Sequence, residues 1–268
     1  MVNNHMTMLA GLIRCMVLAA LLAGAATAEE AERPTALITG ANRGIGFEFA
    51  GQLAAAGWRV IATTRNPEAA KPLQQLAADN PHLFIEQLDV TEPAQISALA
   101  DQYAGQPIDL LLLNAAKGPA QPTATAPLTR QDFDVSEVYF ATNAVGPMRV
   151  TQAFWENVRA SNRKQVVALS SDSGSFVAGS QLPILYHYKA SKAALNMFMH
   201  TLSFEARKRG VTVVMLHPGM VATGPETARL PNAMATRDSV RQMLEVIDAL
   251  TPEDNGRFLD YRGASMPW

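Results

Sequence analysis

The stretch Thr35-Ala36-Leu37-Ile38-Thr39-Gly40-Ala41-Asn42-Arg43-Gly44-Ile45-Gly46 decides the fold. Its first five residues are apolar or β-branched and read as a strand. The glycines, spaced Gly-x3-Gly-x-Gly, permit a tight turn, close approach of backbone to a pyrophosphate and close packing of helix on strand. The helix that follows (Ile45 to Ala56) points its unpaired N–H groups and the positive end of its dipole at that turn. Strand, glycine turn and helix in this order imply a dinucleotide site, the alternative being a turn with no ligand. The spacing departs from the Gly-x-Gly-x2-Gly of the commonest fingerprint.

The same alternation continues outward. Strands are expected at Trp58 to Thr63, His82 to Leu88, Ile108 to Leu113, Gln165 to Ser170, Val211 to His217 and Gly256 to Leu259. Helices are expected at Pro67 to Ala78, Pro93 to Tyr103, Phe133 to Arg159 and Tyr188 to Arg209. Near-continuous apolar runs separated by helices indicate a parallel sheet covered on both faces. With neither a fixed-period repeat nor a linker, the expected fold is a single doubly wound Rossmann-type α/β domain over residues 33–268, with a mostly parallel seven-stranded sheet.

Composition narrows the function. The 268 residues are 48% hydrophobic and 17% charged, with a formal net charge of −2, which excludes a disordered chain. A pI near 6.2 leaves no basic excess for phosphate backbones, so no nucleic-acid partner is expected. One cysteine rules out a disulfide framework and a cysteine-built zinc site. His187 and His200 lack companions at metal-ligand spacing, so no metal site is expected.

Residues 1–28 stand apart from the rest. Arg14, the apolar run Cys15 to Ala26 and the exit Ala26-Thr27-Ala28 before Glu29-Glu30 are the parts of a secretory signal peptide. The run is shorter than the roughly 20 apolar residues needed to span a bilayer. Export is therefore expected. The alternatives are a mis-assigned start, or an uncleaved leader that leaves the protein cytoplasmic or membrane-anchored.

The second strand ends Ile61-Ala62-Thr63-Thr64-Arg65, with no carboxylate at its tip for a ribose 2′-OH, and Arg43 lies in the glycine loop. Two guanidiniums at one site suit a 2′-phosphate, so NADP(H) is preferred over NAD(H); solvated surface arginines are the alternative. In Tyr188-Lys189-Ala190-Ser191-Lys192, positions i and i+4 share a helix face. An ammonium beside a phenol favours the phenolate, so Lys192 is expected to lower the Tyr188 pKa from about 10 towards neutrality. Tyr186 has Ala190 four residues on and is set aside.

Together with Leu88-Asp89-Val90-Thr91, Asn114-Ala115-Ala116, Ser170-Ser171 and His217-Pro218-Gly219, these motifs occur in the order seen in short-chain dehydrogenases/reductases. The chain resembles that superfamily from about residue 34 to 268, and within it the carbonyl-reductase branch of C-factor and sniffer-type proteins, whose ending its tail Gly256 to Trp268 is similar to. The resemblance implies Tyr188 as general acid/base and Lys192 as its partner and a ribose ligand. It implies Ser171 as the holder of the substrate oxygen and Asn143 as support for a proton relay. Gly40, Asn42, Arg43, Gly44, Ile45 and Gly46 would hold the pyrophosphate, Asp89 and Val90 the adenine, Asn114 to Ala116 its ribose. Pro218, Gly219, Val221 and Thr223 would hold the nicotinamide end. A homodimer or homotetramer built on the two long helices after the fourth and fifth strands is also implied.

There are departures from the family pattern. Leu113-Asn114-Ala115-Ala116 stands where Asn-Asn-Ala-Gly is usual, and Ser171 to Tyr188 is a few residues longer than usual, giving an enlarged loop (Phe176 to Leu185). The apolar segment Gly224 to Met234 suits a small hydrophobic carbonyl or alcohol. Two function classes stay open: an NADP(H)-dependent carbonyl/alcohol oxidoreductase, and a non-catalytic NADP(H)-binding or signalling protein on the same fold.

Overall fold

Strand β1 (Thr35–Ile38) is buried at every residue and receives a parallel neighbour on each side. The computed structural model describes residues 33–225 and 227–268; the expected signal peptide at residues 1–28 lies outside them. The chain runs through α1 (Gly44–Ala55), β2 (Arg59–Thr64), α2 (Lys71–Ala78), β3 (Leu83–Gln87), α3 (Pro93–Gln102) and β4 (Leu110–Leu113). After a broken helical stretch come β5 (Gln165–Leu169), a long helix, β6 (Thr212–His217), the short pair β7 (Val221–Ala222) and β8 (Met234–Ala235), a last helix and β9 (Phe258–Asp260).

Among the described residues the main sheet has seven strands, in the order β3-β2-β1-β4-β5-β6-β9, and every neighbouring pair is parallel. Side chains alternate across a strand, so β4 serves two cores. Leu110 and Leu112 join Phe49, Leu53, Val214 and Met243 on one face, whereas Leu111 and Leu113 join Phe154, Val158, Leu195 and Met199 on the other. Truncating one such buried leucine to alanine costs about 2–5 kcal/mol. The strand order reverses between β1 and β4, and the crevice at their carboxyl ends is where doubly wound sheets bind ligands.

The broken stretch differs from the single helix expected over Phe133 to Arg159. It consists of a 3-10 turn (Phe133–Val135), α4 (Ser136–Phe140), a π-helical turn (Ala141–Val145), α5 (Gly146–Ala153) and α6 (Trp155–Ala160). Pro147 has no N–H to give to the carbonyl of residue 143, and the helix widens just before it. The helix expected from Pro67 starts at Lys71, because the Asn66 side chain accepts the Ala69 N–H and Pro67 takes the Gln74 amide, making a turn. Helix α7 (Tyr186–Lys208) begins two residues before Tyr188, and α8 (Thr236–Ala249), which buries Val240, Met243 and Ile247, was not anticipated.

Candidate active site

The loop after β1 is held by the loop after β4. Asn114 Nδ2 donates to the carbonyls of Thr39 (2.8 Å) and Gly40 (2.9 Å), and the N–H groups of Asn114 and Ala115 both donate to Thr39 Oγ1 at 2.9 and 3.0 Å. Gly40 has φ +69°, and a Cβ there would lie 2.9 Å from Ala115 Cα. At Gly46 a Cβ would lie 2.6 Å from the Gly40 carbonyl oxygen. The glycines are therefore required by close approach, as the spacing implied. Gly44 faces Thr223, whose Cβ would be 3.5 Å from an added methyl, so the segment after Pro218-Gly219 closes over the same loop. Pro218 is fixed there by Ser239, whose hydroxyl donates to its carbonyl at 2.7 Å. Gly219, at φ +80°, passes the Tyr261 ring. The Thr223 N–H donates to the Val221 carbonyl at 2.9 Å.

This cradle fits a phosphate-bearing group. Arg43, the N-cap of α1, gives no side-chain cap, and the first turn holds no acid, so the first N–H groups of the helix remain for an anion. Asn42, Arg43 and Arg65 are exposed. Among the described residues neither arginine has a carboxylate partner. The loop is tied to β2 by the Ala41 N–H, which donates to the Thr63 carbonyl at 2.7 Å. Beside that contact the buried Thr63 hydroxyl lacks a hydrogen-bond partner. Asp89 braces its own turn, taking the Thr91 N–H and hydroxyl at 2.9 and 2.7 Å, next to buried Val90.

The four expected catalytic residues converge at the carboxyl edge of β4 and β5. Asn143 lies in the π-helical turn, where its Oδ1 accepts the Lys117 N–H (2.7 Å) and its Nδ2 donates to the Lys117 carbonyl (3.0 Å) and Ser191 Oγ (2.9 Å). Ser191 donates in turn to the Tyr188 carbonyl at 2.8 Å. A widened turn thus aims the Asn143 amide across at the helix that carries Tyr188. Leu185, left-handed at φ +61°, turns the chain into α7, and its N–H donates to the Ala124 carbonyl at 2.8 Å. His187 locks the next turn through Ser136 (2.8 Å) and Gln131 (3.1 Å).

Electrostatics correct one expectation. Burial pushes the Tyr188 phenol above its ordinary pKa; a hydrogen-bonding contact with Ser171 opposes this, while the charge of Asp172 adds to it. Lys192 makes no hydrogen bond with the phenol. Its ammonium donates to the Leu169 carbonyl at 2.7 Å and stands 6.0 Å from the Tyr188 ring centroid. It is only 4% exposed, and burial lowers its pKa to about 8. Burial is the leading cause of both shifts, and Lys192 is not among the causes acting on Tyr188. Sequence reasoning also missed Thr39, Ser191 and Asp172. Asp172 was signalled by its place after Ser171, whereas nothing in the sequence marked the other two.

The loop Phe176 to Leu185 flanks Tyr188. Lys189 Nζ tethers it by donating to the carbonyls of Ser180 (2.6 Å) and Leu182 (3.0 Å), while Phe176 is 86% exposed. A cavity of about 470 Å³ lies elsewhere, between α8 and the C-terminal tail, and contains none of Asn143, Ser171, Tyr188 or Lys192.

The family profile for short chain dehydrogenase matches residues 34–233. The chain belongs to this family. It is 39% identical over 174 residues to C-signal of Myxococcus xanthus, covering 64% of this chain and 99% of that protein. Among solved structures it is similar to the NADPH-bound carbonyl reductase from chicken fatty liver, with 32% identity, TM-score 0.80, 88% of this chain and 100% of the other covered. The carbonyl reductase Sniffer of D. melanogaster has 25% identity and TM-score 0.79 over the same shares. The resemblance to the carbonyl-reductase branch of short-chain dehydrogenases thus holds.

Proposed function

We propose that this short-chain dehydrogenase is an NADP(H)-dependent oxidoreductase that interconverts a small hydrophobic carbonyl compound and its alcohol. The observation that carries the proposal is the convergence of Asn143, Ser171, Tyr188 and Lys192 beside an uncapped glycine-loop helix with two carboxylate-free arginines. When bound, the dinucleotide supplies the hydride. Arg43 and Arg65 would hold its 2′-phosphate, Asp89 and Val90 would face the adenine, and Asn114 and Ala115 would meet its ribose. Gly219, Val221 and Thr223 would bound the nicotinamide end. Lys192, which donates to the Leu169 carbonyl at 2.7 Å, would be the residue to meet a ribose hydroxyl of the bound cofactor.

Tyr188 then gives its proton to the carbonyl oxygen as charge develops there, and takes it back in the reverse direction. Ser171 fixes that oxygen, and Asn143 holds the Lys117 segment against α7. Neutral, apolar substrates are favoured by Phe176, Val177, Leu182 and Met220, which stand exposed around this edge. The similarity to C-signal favours a signalling role as the second reading.

Fluorescence titration with NADPH and NADH, then a screen of ketones and aldehydes with wild type, Tyr188→Phe and Arg65→Ala, separates the two. NADPH is expected to bind at least about tenfold more tightly than NADH, with Arg65→Ala erasing the difference. Tyr188→Phe is expected to bind NADPH and lose about 10²–10⁴ in turnover. Tight NADPH binding with no carbonyl turned over would leave the signalling reading.

A further inference from the structure

Helix α7 begins without a cap. Its N-cap Leu185 is left-handed, at φ +61°, and no side chain accepts from the first turn, which also holds no acid. A helix end left this way frays, because its first N–H groups have no partners within the helix. Tyr188 lies in that turn, three residues past the N-cap, whereas Lys192 is a full turn deeper. The bond that closes the turn runs from the Lys189 N–H to the Leu185 carbonyl at 2.8 Å. What fixes the turn against the rest of the fold lies outside the helix.

His187 supplies the connection. It is 4% exposed, although its neighbours Tyr186 and Tyr188 are only half-buried, and both of its ring nitrogens are bonded. Nε2 meets Gln131 Oε1 at 3.1 Å, and Nδ1 meets the hydroxyl of Ser136, the first residue of α4, at 2.8 Å. Gln131 spends both amide protons on the carbonyls of Thr123 (3.0 Å) and Ala126 (2.5 Å), so its oxygen accepts from Nε2–H. Nδ1 of the neutral ring then accepts the Ser136 hydroxyl proton. The ring stacks on Tyr139 (centroids 5.8 Å apart) and stands edge-on to Phe133 (5.3 Å). It shares a small cleft with Tyr188, Pro119, Ala124 and Tyr139. One side chain thus joins the first turn of α7 to α4 and to the segment 123–131. The Leu185 N–H docks on the same segment, at the Ala124 carbonyl (2.8 Å), whose shape Gln131 maintains. The other tie from this turn, Lys189 Nζ, reaches only the exposed loop at Ser180 and Leu182, and so holds the loop rather than the turn.

We propose that His187 is a positioning residue for Tyr188: its two hydrogen bonds clamp the uncapped first turn of α7, and with it the phenol, against α4 and the segment 123–131. The inference rests on the role given to Tyr188 above. Without the clamp the turn frays locally, while the rest of α7, Lys192 and the glycine loop keep their places. A reacting group displaced by about 1 Å can cost about 10² in rate, so the loss falls on turnover and spares cofactor binding.

Hydrogen exchange reads the clamp without a substrate. His187→Phe keeps a ring between Phe133 and Tyr139 and loses both nitrogens, whereas His187→Gln keeps a donor for Gln131. Followed by NMR on the full chain, the Lys189 amide is expected to exchange about tenfold faster in His187→Phe than in wild type. Amides beyond Lys192 and in β5 should keep their rates, and His187→Gln should return Lys189 towards the wild-type rate. An unchanged Lys189 rate, or one raised equally across the sheet, overturns the proposal. No recovery in His187→Gln would assign the effect to ring packing and overturn it as well. Should His187→Phe not fold, Ser136→Ala withdraws the Nδ1 partner from a different element and carries the same expectation. Where wild type turns over a carbonyl, kcat is expected to fall about 10–10²-fold in His187→Phe, with NADPH affinity kept and His187→Gln recovering most of the loss. A frayed turn with kcat intact overturns the positioning role. Absence of turnover in wild type counts against the proposed reaction, and the exchange rates then decide the clamp by themselves.

Discussion

Lys192 shows how one side chain trades stability for chemistry. Its ammonium has a folded pKa of about 8 against an ordinary 10.5, the shift being caused by burial. Between those values the unfolded chain binds more protons than the folded one, so stability rises with pH across that window. Below about pH 8 the cost of the buried charge is present in full. We expect Lys192→Met to remove this dependence. From pH 7 to pH 10.5, denaturant unfolding should show wild type gaining about 2–3 kcal/mol relative to the variant. An identical difference at both pH values would mean that the ammonium is not the buried group described here. The variant also forfeits the donor to the Leu169 carbonyl, so its absolute stability at pH 7 is the less telling number. At this scale the sequence paired Tyr188 with Lys192, because they are one helical turn apart, and both lie on α7. It misjudged their electrostatics, because burial belongs to the packed molecule.

The strand-loop-helix unit of β1 and α1 depends on contacts from another element. A methyl on Gly46 would meet the Asn114 side chain and the Gly40 carbonyl. That carbonyl is held by Asn114 Nδ2, so it has little freedom to yield. Gly46→Ala is expected to lower Tm and to weaken NADPH binding more than tenfold, roughly 1.4 kcal/mol or above. Gly51→Ala, in the same helix, is the control. An added methyl there comes no nearer than 3.8 Å to Leu76, and the helix gains about 0.5–1 kcal/mol from the lost flexibility of glycine. If both variants behaved alike in calorimetry and cofactor titration, close packing at Gly46 would not be what selects glycine. The elements were legible wherever apolar runs were unbroken, as at Leu110 to Leu113. Helix α8 was legible in principle, since Val240, Met243 and Ile247 recur at helical spacing, yet charged residues between them mask it. The π-helical turn at Asn143 was not legible, because it follows from how the stretch before Pro147 packs against α7.

On the scale of the whole molecule, α7 leaves Met197 and Phe204 65% and 57% exposed, seven residues apart on one helix face. Large apolar side chains in such a row mark an association surface. We propose that a second copy covers it, in the dimer or tetramer that the family resemblance implied. Light scattering on the purified chain at micromolar concentration should give at least twice the monomer mass. Met197→Glu combined with Phe204→Glu should return it to one, with NADPH binding kept. A wild-type monomer would rule this surface out.

The sequence alone determined the succession of the seven main-sheet strands along the chain, the glycine loop, the tyrosine–lysine spacing and the family, because each is a local or ordered pattern along the chain. The tertiary structure decided what lies between those patterns. It brought Thr39 under Asn114, set Ser191 against Asn143, and turned Lys192 to a backbone carbonyl. Among the described residues it also left Asp172 without an ion-pair partner. Those outcomes depend on which groups desolvate one another, and residues more than seventy positions apart, such as Thr39 and Asn114, meet only when the parallel sheet has brought β1 beside β4.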